Sequence, residues 1–319
     1  MTTSGVYSFS VNRDQIIRMA MLIIGKLEQS EVPTAQETTD CSTFLNMLVK
    51  QWQGKSDFSA GLKTWTRKHG HLFLSSTTGA LSVGGSANGW TNSYIKTTLS
   101  ASAASGQPVI LVVSASGLLV NDYIAIQLAS GALFWSRVLT IVSNTITLTT
   151  NLPSDANSGA VVFDYTTPAQ SPIVIETAFL RDINNEDTPL RIMTVQDYDN
   201  VPSKTDVTAA SDPTAIYYEQ GLSVGTVYTD TPATNDVTKH IGMTYMETVQ
   251  DFVNPTDTPY YPQEWYLALS YGLAKIIAPI FSAGWTPVME ANAETSLAIA
   301  QKKEPEVTHM FFQPKEDGF

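Results

Sequence analysis

The feature that most constrains this chain is a change of hydrophobic period along its length. Apolar residues recur at helical spacing over residues 12–52 and again over 261–300. Between these stretches the chain is rich in Ser, Thr, Gly and Val, and its apolar residues alternate. Helices at both ends with strands between them predict an α+β multidomain fold. The expected plan is a helical bundle formed from the N- and C-terminal segments, with inserted β-rich domains of barrel or sandwich type and an extended C-terminal tail. Such a plan reads as a scaffold that presents something, and not as a compact catalytic fold.

Local signals place the helices. Asn12 is a good cap residue, and Ile16, Ala20, Ile23, Ile24 and Leu27 form one apolar face behind it. Pro33 breaks the pattern. Thr34-Ala35-Gln36-Glu37 then reads as a capping box, in which the Thr hydroxyl serves a free backbone N–H and Glu37 reaches back. Cys41, Phe44, Leu45, Leu48 and Trp52 follow on the inner face of a second helix that Gly54 ends. The late stripe is Trp265, Leu269, Leu273, Ile276 and Ile277, interrupted by Pro279 and Gly284 and followed by an Ala- and Glu-rich helix near 287–302. Phe311, Phe312 and Phe319 stand among polar residues with no core period, as in a tail that docks on a partner.

The middle divides by turn signals. Candidate strands at 109–113, 123–128, 134–142, 145–149 and 161–165 are separated by Ser116-Gly117, Asn121-Asp122, Ser130-Gly131 and Ser143-Asn144. Their even spacing predicts a small barrel or sandwich. A second set falls at 173–180, 190–194, 215–220, 224–229 and 239–248. The expected domains are therefore 1–71 and 259–303 for the two parts of the helical domain, 72–96 with 166–258 for a β-rich domain, 97–165 for an inserted β module, and 304–319 for the docking tail.

Composition limits the function classes. The 319 residues suit two or three domains, and 43% hydrophobic content supplies their cores. A net charge of −12 disfavours a groove that grips phosphates, yet suits a wall that DNA slides past. A single cysteine, Cys41, excludes an intramolecular disulfide. The start, MTTSGVYSFS, lacks the basic and apolar regions of a signal peptide, and no apolar run is long enough to span a bilayer.

Several motifs carry candidate chemistry. Gly221-Leu222-Ser223-Val224-Gly225 matches a nucleophile elbow, but its flanks are strand-like on both sides, which predicts a hairpin turn. His69-Gly70-His71 can seed a metal site only with further ligands. His240 and His309 lie in unrelated segments, so the pair reads as part of a solvated basic junction with Lys63, Arg67 and Lys68. Asp182, Glu186, Asp187, Asp197 and Asp199 offer carboxylate pairs of the kind glycoside hydrolysis uses. Acidic loop residues more often cap turns or face solvent. Trp90, Tyr94, Trp135 and Tyr165 can stack on sugars or fill a β core. The expectation is a protein without catalytic residues or cofactor.

Three stretches carry a resemblance. They are Ile16 to Leu27 ending in Ile24-Gly25-Lys26-Leu27, then Phe44-Leu45-Asn46-Met47-Leu48-Val49-Lys50-Gln51-Trp52, and Tyr261-Pro262-Gln263-Glu264-Trp265 before an apolar helix. In this order they resemble the head-to-tail adaptors of short-tailed bacteriophages (podoviruses), also described as head-completion proteins, tail accessory factors or packaged-DNA stabilisation proteins. Phe179-Leu180-Arg181-Asp182, Asp187-Thr188-Pro189-Leu190 and Gln196-Asp197-Tyr198 are similar to the β region of longer members. Residues 97–165 lie outside the likeness. The resemblance implies a structural virion protein made in the host cytoplasm and placed in the neck. Its copies would form a dodecameric ring under the portal protein, carry tail nozzle, hub or fibre proteins, and let double-stranded DNA pass without sequence-specific binding. It implies that Phe311, Phe312 and Phe319 dock on the portal. Ile16, Ile23, Phe44, Leu48, Trp52, Trp265, Leu269, Leu273 and Ile276 would form the helical core and subunit packing. The alternative is a virion-associated protein that binds or degrades cell-wall or capsule glycan through its β region.

Overall fold

The structure is a computed structural model that describes Gly5 and residues 8–54, 67–85, 87–204, 206–234 and 236–301. The chain divides into two compact units, Met1–Trp65 with Val249–Phe319, and Thr66–Thr248.

The smaller unit is helical: α1 (Arg13–Ile23), α2 (Ala35–Gly54), α4 (Glu264–Ile277) and α5 (Pro287–Ala300), with α3 (Val195–Asp199) a single turn in the other unit. The starts of α1, α2 and α5 are chemically marked. The Asn12 side chain accepts from the Gln15 N–H at 2.9 Å while the Gln15 side chain accepts from the Asn12 N–H at 2.9 Å. Thr34 and Glu37 form the expected reciprocal pair, with the Thr34 N–H donating to Glu37 Oε2 at 2.9 Å. Pro287 opens α5 in the first turn, where its missing N–H costs nothing. Ile16, Ile17, Ala20 and Met21 of α1, Leu45, Leu48 and Trp52 of α2, and Trp265, Leu269 and Leu273 of α4 share one core. Gly272 lets α4 approach α2, because a Cβ there would lie 2.8 Å from the Trp52 ring.

The larger unit holds two sheets. The first has eight strands in the order β2 (Ala80–Val83), β13 (Gly225–Thr229), β12 (Ala215–Glu219), β11 (Asp187–Ile192), β10 (Pro172–Arg181), β14 (His240–Glu247), β1 (Arg67–Phe73), β3 (Trp90–Thr91). All neighbours are antiparallel except β11 and β12. The second has six strands, ordered β4 (Ile95–Thr98), β9 (Val161–Tyr165), β6 (Tyr123–Gln127), β7 (Leu133–Val142), β8 (Thr145–Leu148), β5 (Val109–Leu111). It closes on itself where Leu99 bridges Val112, with Ser100 N–H donating to the Leu111 carbonyl and Val113 N–H to the Thr98 carbonyl, both at 2.9 Å. Closure removes the bare strand edges that an open sheet would expose.

Each sheet has its own core, and a third cluster joins them. Ile110, Val112, Ile124, Ile126, Val138, Ile146 and Val162 fill the barrel. Leu72, Trp90, Ile216, Val227, Ile241 and Tyr245 lie in the core of the larger sheet. Phe73 meets Phe163 at 4.5 Å between ring centroids, in a cluster with Ala125, Val161 and Tyr165.

The expected fold class is corrected by this architecture. Among the described residues strand exceeds helix, and the chain is mostly β, built of two barrel-like sheets with few helices. It is not a helical bundle carrying β insertions. The helical ends dominate a sequence reading because their stripes are local. The sheets are assembled by distant pairings, such as Arg67 with Met246, that leave no local mark.

Candidate functional site

In the helical unit, Ile16, Leu48, Trp52, Trp265, Leu269 and Leu273 are buried within the unit itself, and Ile23, Phe44 and Ile276 sit half-buried on the rim of the same core. The buried six hold the fold, so only the rim three have surface to offer a neighbour. Phe311, Phe312 and Phe319 lie outside the described residues. The two motif stretches meet directly: the Trp52 and Trp265 rings are 5.7 Å apart and tilted by 52°. Asn46, from the middle of the α2 motif, clasps the returning chain. Its Nδ2 donates to the Phe252 carbonyl at 3.1 Å and its Oδ1 accepts from the Phe252 N–H at 2.8 Å. Lys50 adds an ion pair to Asp251 at 2.8 Å. Between α2, α4 and α5 lies a cleft of about 320 Å³, lined by Leu48, Trp52, Gly272, Ile276 and Leu297 with Lys275 and Glu294 at its polar side.

Four of the carboxylates that the sequence offered in catalytic pairs, Asp182, Asp187, Asp197 and Asp199, are engaged in the structure. Asp187 is forked by Arg181 at 2.7 and 2.8 Å, which holds its carboxyl below the usual range. Asp182 accepts the backbone N–H groups of Asn184 and Glu186, both at 2.8 Å, and these bonds likewise lower its pKa. Asp197 caps α3 through Thr194, whose N–H lowers it too. Asp199 lies 3.8 Å from Lys204. A general acid needs a raised pKa, and Asp182, Asp187 and Asp197 are shifted the other way.

Asp164 is a raised carboxylate that the sequence reading missed, and burial raises Glu247 as well. Asp164 of β9 and Asp122, next to the start of β6, are each 1% exposed. Burial first, and then the neighbouring Asp122 charge, push the Asp164 carboxyl far up. Asp122 Oδ2 accepts the Leu119 N–H at 2.8 Å. With so little exposed surface, the pair has no face to offer a substrate and acts as a buried structural acid.

The histidine expectation is corrected in part. His69 is exposed on β1, but His71 is half-buried, and antiparallel pairing sets Phe73 of β1 opposite His240 of β14. The His71 and His240 rings are 5.2 Å apart, and Tyr94 Oη lies 3.3 Å from His240 Nε2. His240 is thus no stranger to the motif. Burial pushes His71 down to about 4 and His240 to about 3, so both are neutral at pH 7. Gly70 between the two motif histidines is a seat for Trp90: a Cβ there would fall 2.1 Å from that ring. Among the described residues no three His, Cys, Asp or Glu side chains are placed to hold a metal. His309 lies outside the described residues.

Trp90 is fully buried with Nε1 donating to the Gln170 carbonyl at 2.9 Å, and the Tyr165 hydroxyl accepts from the Gly89 N–H at 2.9 Å. Tyr94 and Trp135 pack on the cluster between the sheets. These four fill the β interior. The surface aromatic group lies elsewhere. Tyr198, Tyr217 and Tyr228 are half-buried, with centroids 5.3 Å apart for the first two and 5.9 Å for the last two, stacked within 20°. Lys204 Nζ sits 4.3 Å over Tyr198, and the Tyr228 hydroxyl donates to Glu219 at 3.1 Å. A signal for part of it was present: residues 221–225 form the expected hairpin turn between β12 and β13, which pairs Tyr217 with Tyr228.

No protein-family model and no curated protein matches this chain. Solved structures give a faint likeness to two phage tailspikes. The tailspike gp61 of Pseudomonas phage phi297 is 18% identical over 23% of this chain and 14% of its own, with a TM-score of 0.20. The Gp54 tailspike of Acinetobacter baumannii bacteriophage AP22, solved with an A. baumannii capsular saccharide, is 15% identical over the same shares, also with a TM-score of 0.20. The chain therefore spans about a seventh of each of those proteins (14%), too little to assign it to a family.

Proposed function

We propose that this chain is a structural protein of a bacteriophage virion and, within it, a head-to-tail adaptor that docks under the portal through its helical unit. The observation that carries the reading is the meeting of the adaptor-like motifs. Trp52 from one and Trp265 from the other pack in one core, and Asn46 ties the first to the chain leading into the second. Motif residues that hold each other explain why both stretches occur together in one chain. In this reading the rim residues Ile23, Phe44 and Ile276 and the segment 304–319 face the portal or neighbouring copies, tail proteins attach below, and DNA passes an acidic wall that does not hold it. The test is co-sedimentation of the purified protein with portal rings of the same virus. Full-length protein is expected to pellet with the rings, and a truncation after Glu304 to keep its fold and stay in the supernatant. Absence of the full-length protein from the pellet would refute the reading.

A glycan-binding role for the β unit is the second reading, favoured by the Tyr198, Tyr217 and Tyr228 group, since sugar C–H faces stack on aromatic rings. Affinity electrophoresis in host capsule or cell-wall polysaccharide tests it. Retardation that Tyr217→Ala abolishes supports it, and free migration of the wild type rejects it.

A further inference from the structure

Two Val-rich strands of the small barrel differ in what covers them. β9 runs Val161-Val162-Phe163-Asp164-Tyr165 and is buried at every position. Val162 faces the barrel core, while Val161, Phe163 and Tyr165 join the cluster shared with the larger sheet. The run Val109-Ile110-Leu111-Val112-Val113 is apolar at every position, where β9 carries Asp164. Ile110 and Val112 fill the barrel. Val109, Leu111 and Val113 point outward and are 46%, 42% and 60% exposed. A strand apolar on both faces is the pattern of one covered on both sides.

The bare face is contiguous. Leu111 pairs with Thr145, and Thr145 pairs with Val142, which is 71% exposed. Val109 pairs with Thr147, and Thr147 with Thr140. Direct cross-strand neighbours have side chains in contact. The result is a face of Val, Leu and Thr spread over β5, β8 and the end of β7.

Its electrostatics select the occupant. The barrel, residues 95–165, carries five charged side chains, Lys96, Asp122, Arg137, Asp155 and Asp164, for a net charge of −1 (three acids, two bases), against −12 for the chain. Asp122 and Asp164 are buried, Lys96 donates to the Ile183 carbonyl at 2.7 Å, Arg137 lies 3.7 Å over the Tyr123 ring, and Asp155 accepts the Ser105 N–H at 2.7 Å. Copies of an acidic chain repel each other except where they meet through a neutral surface. A nucleic acid would require basic side chains, and a glycan would require aromatic rings or polar groups. We propose that this flank of the barrel is a contact between copies of this chain, packing against the barrel of a second copy. The proposal does not depend on the adaptor reading.

Sedimentation velocity of the full chain over a concentration series tests it, with Leu111→Lys and Val142→Lys as variants. Both positions are outward, so circular dichroism and the melting temperature are expected to stay as in the wild type, and either variant serves if the other fails to fold. The wild type is expected to associate reversibly, and each lysine to weaken that association by about tenfold or more. A label on Leu111→Cys, read against the buried Cys41, should shift to the blue as concentration rises. A wild type that sediments as a monomer throughout, or an association untouched by both lysines, overturns the proposal.

Discussion

The helical unit and the β unit bury different chemistry. In the helical unit the buried polar residues among those described are uncharged: Ser42, Gln53, Ser270 and Ser296. Carboxylates at its surface serve as caps, such as Glu37 of the Thr34 capping box and Asp257, which accepts the Val253 and Asn254 N–H groups, while burial pushes its Cys41 and Tyr261 up, away from neutrality. The β unit buries Asp122, Asp164, His240 and Glu247. A unit held by apolar area and caps is insensitive to pH near neutrality. A unit that buries ionisable groups carries pH dependence in its core. The difference assigns the robust part of the molecule to the segment proposed to assemble and the condition-sensitive part to the β region.

The largest expected effect attacks the helical side. Trp265→Ala empties a fully buried site against Trp52 and should cost about 3–5 kcal/mol, read as the loss of the 222 nm transition. That loss should be the same at pH 5 and pH 7. A strong pH dependence would break the comparison.

Acid should act on the β side. His71 and His240 have folded pKa values lowered from 6.5 to about 4 and about 3 by burial, with nearby charges, Arg181 for His71 and His71 for His240, adding to it. The unfolded chain takes up protons below about 6.5 and the folded chain does not. Their stabilisation is thus full above that pH and drains as pH falls toward 4 and then 3. Roughly 2 kcal/mol per histidine should be lost between pH 6.5 and 4.5. Hydrogen exchange resolved by peptide should show faster opening in β1 and β14 over this range, with α1 and α4 unchanged. Equal change in both units would contradict the assignment.

The third effect has the opposite sign. Asp164 has a folded pKa raised from 3.8 to about 8, by burial first and then by Asp122. Here the folded state keeps a proton that the unfolded chain releases, so stability falls as pH rises from about 4 to about 8. Asp164→Asn should remove that slope and leave the protein more stable than the wild type at pH 8. Denaturant midpoints at pH 5 and pH 8 measure it, and an unchanged slope would show that the pair does not hold a proton.

Legibility in the sequence followed the same divide. Asn12, the Thr34–Glu37 box and the Trp265 to Leu273 stripe are local patterns, and the structure has each where its residues point. The 221–225 turn was legible for the same reason, because strand-like flanks a few residues apart exclude an elbow. The balance of the fold was not legible. β1 finds β14 across the length of the β unit, and β11 pairs with β12 in parallel after an excursion through α3, so no window of sequence shows that the sheets form the larger body. The His71–His240 and Asp122–Asp164 neighbourhoods depend on those registers and were invisible for that reason.

The central claim is that the helical unit makes the attachment. Electron cryomicroscopy of the protein mixed with portal rings of its own virus tests it most directly. The account predicts copies arrayed on the portal with Ile23, Phe44, Ile276 or residues 304–319 at the contact and the β sheets away from it. Portal contacts made by the β sheets, or rings left bare, would contradict it.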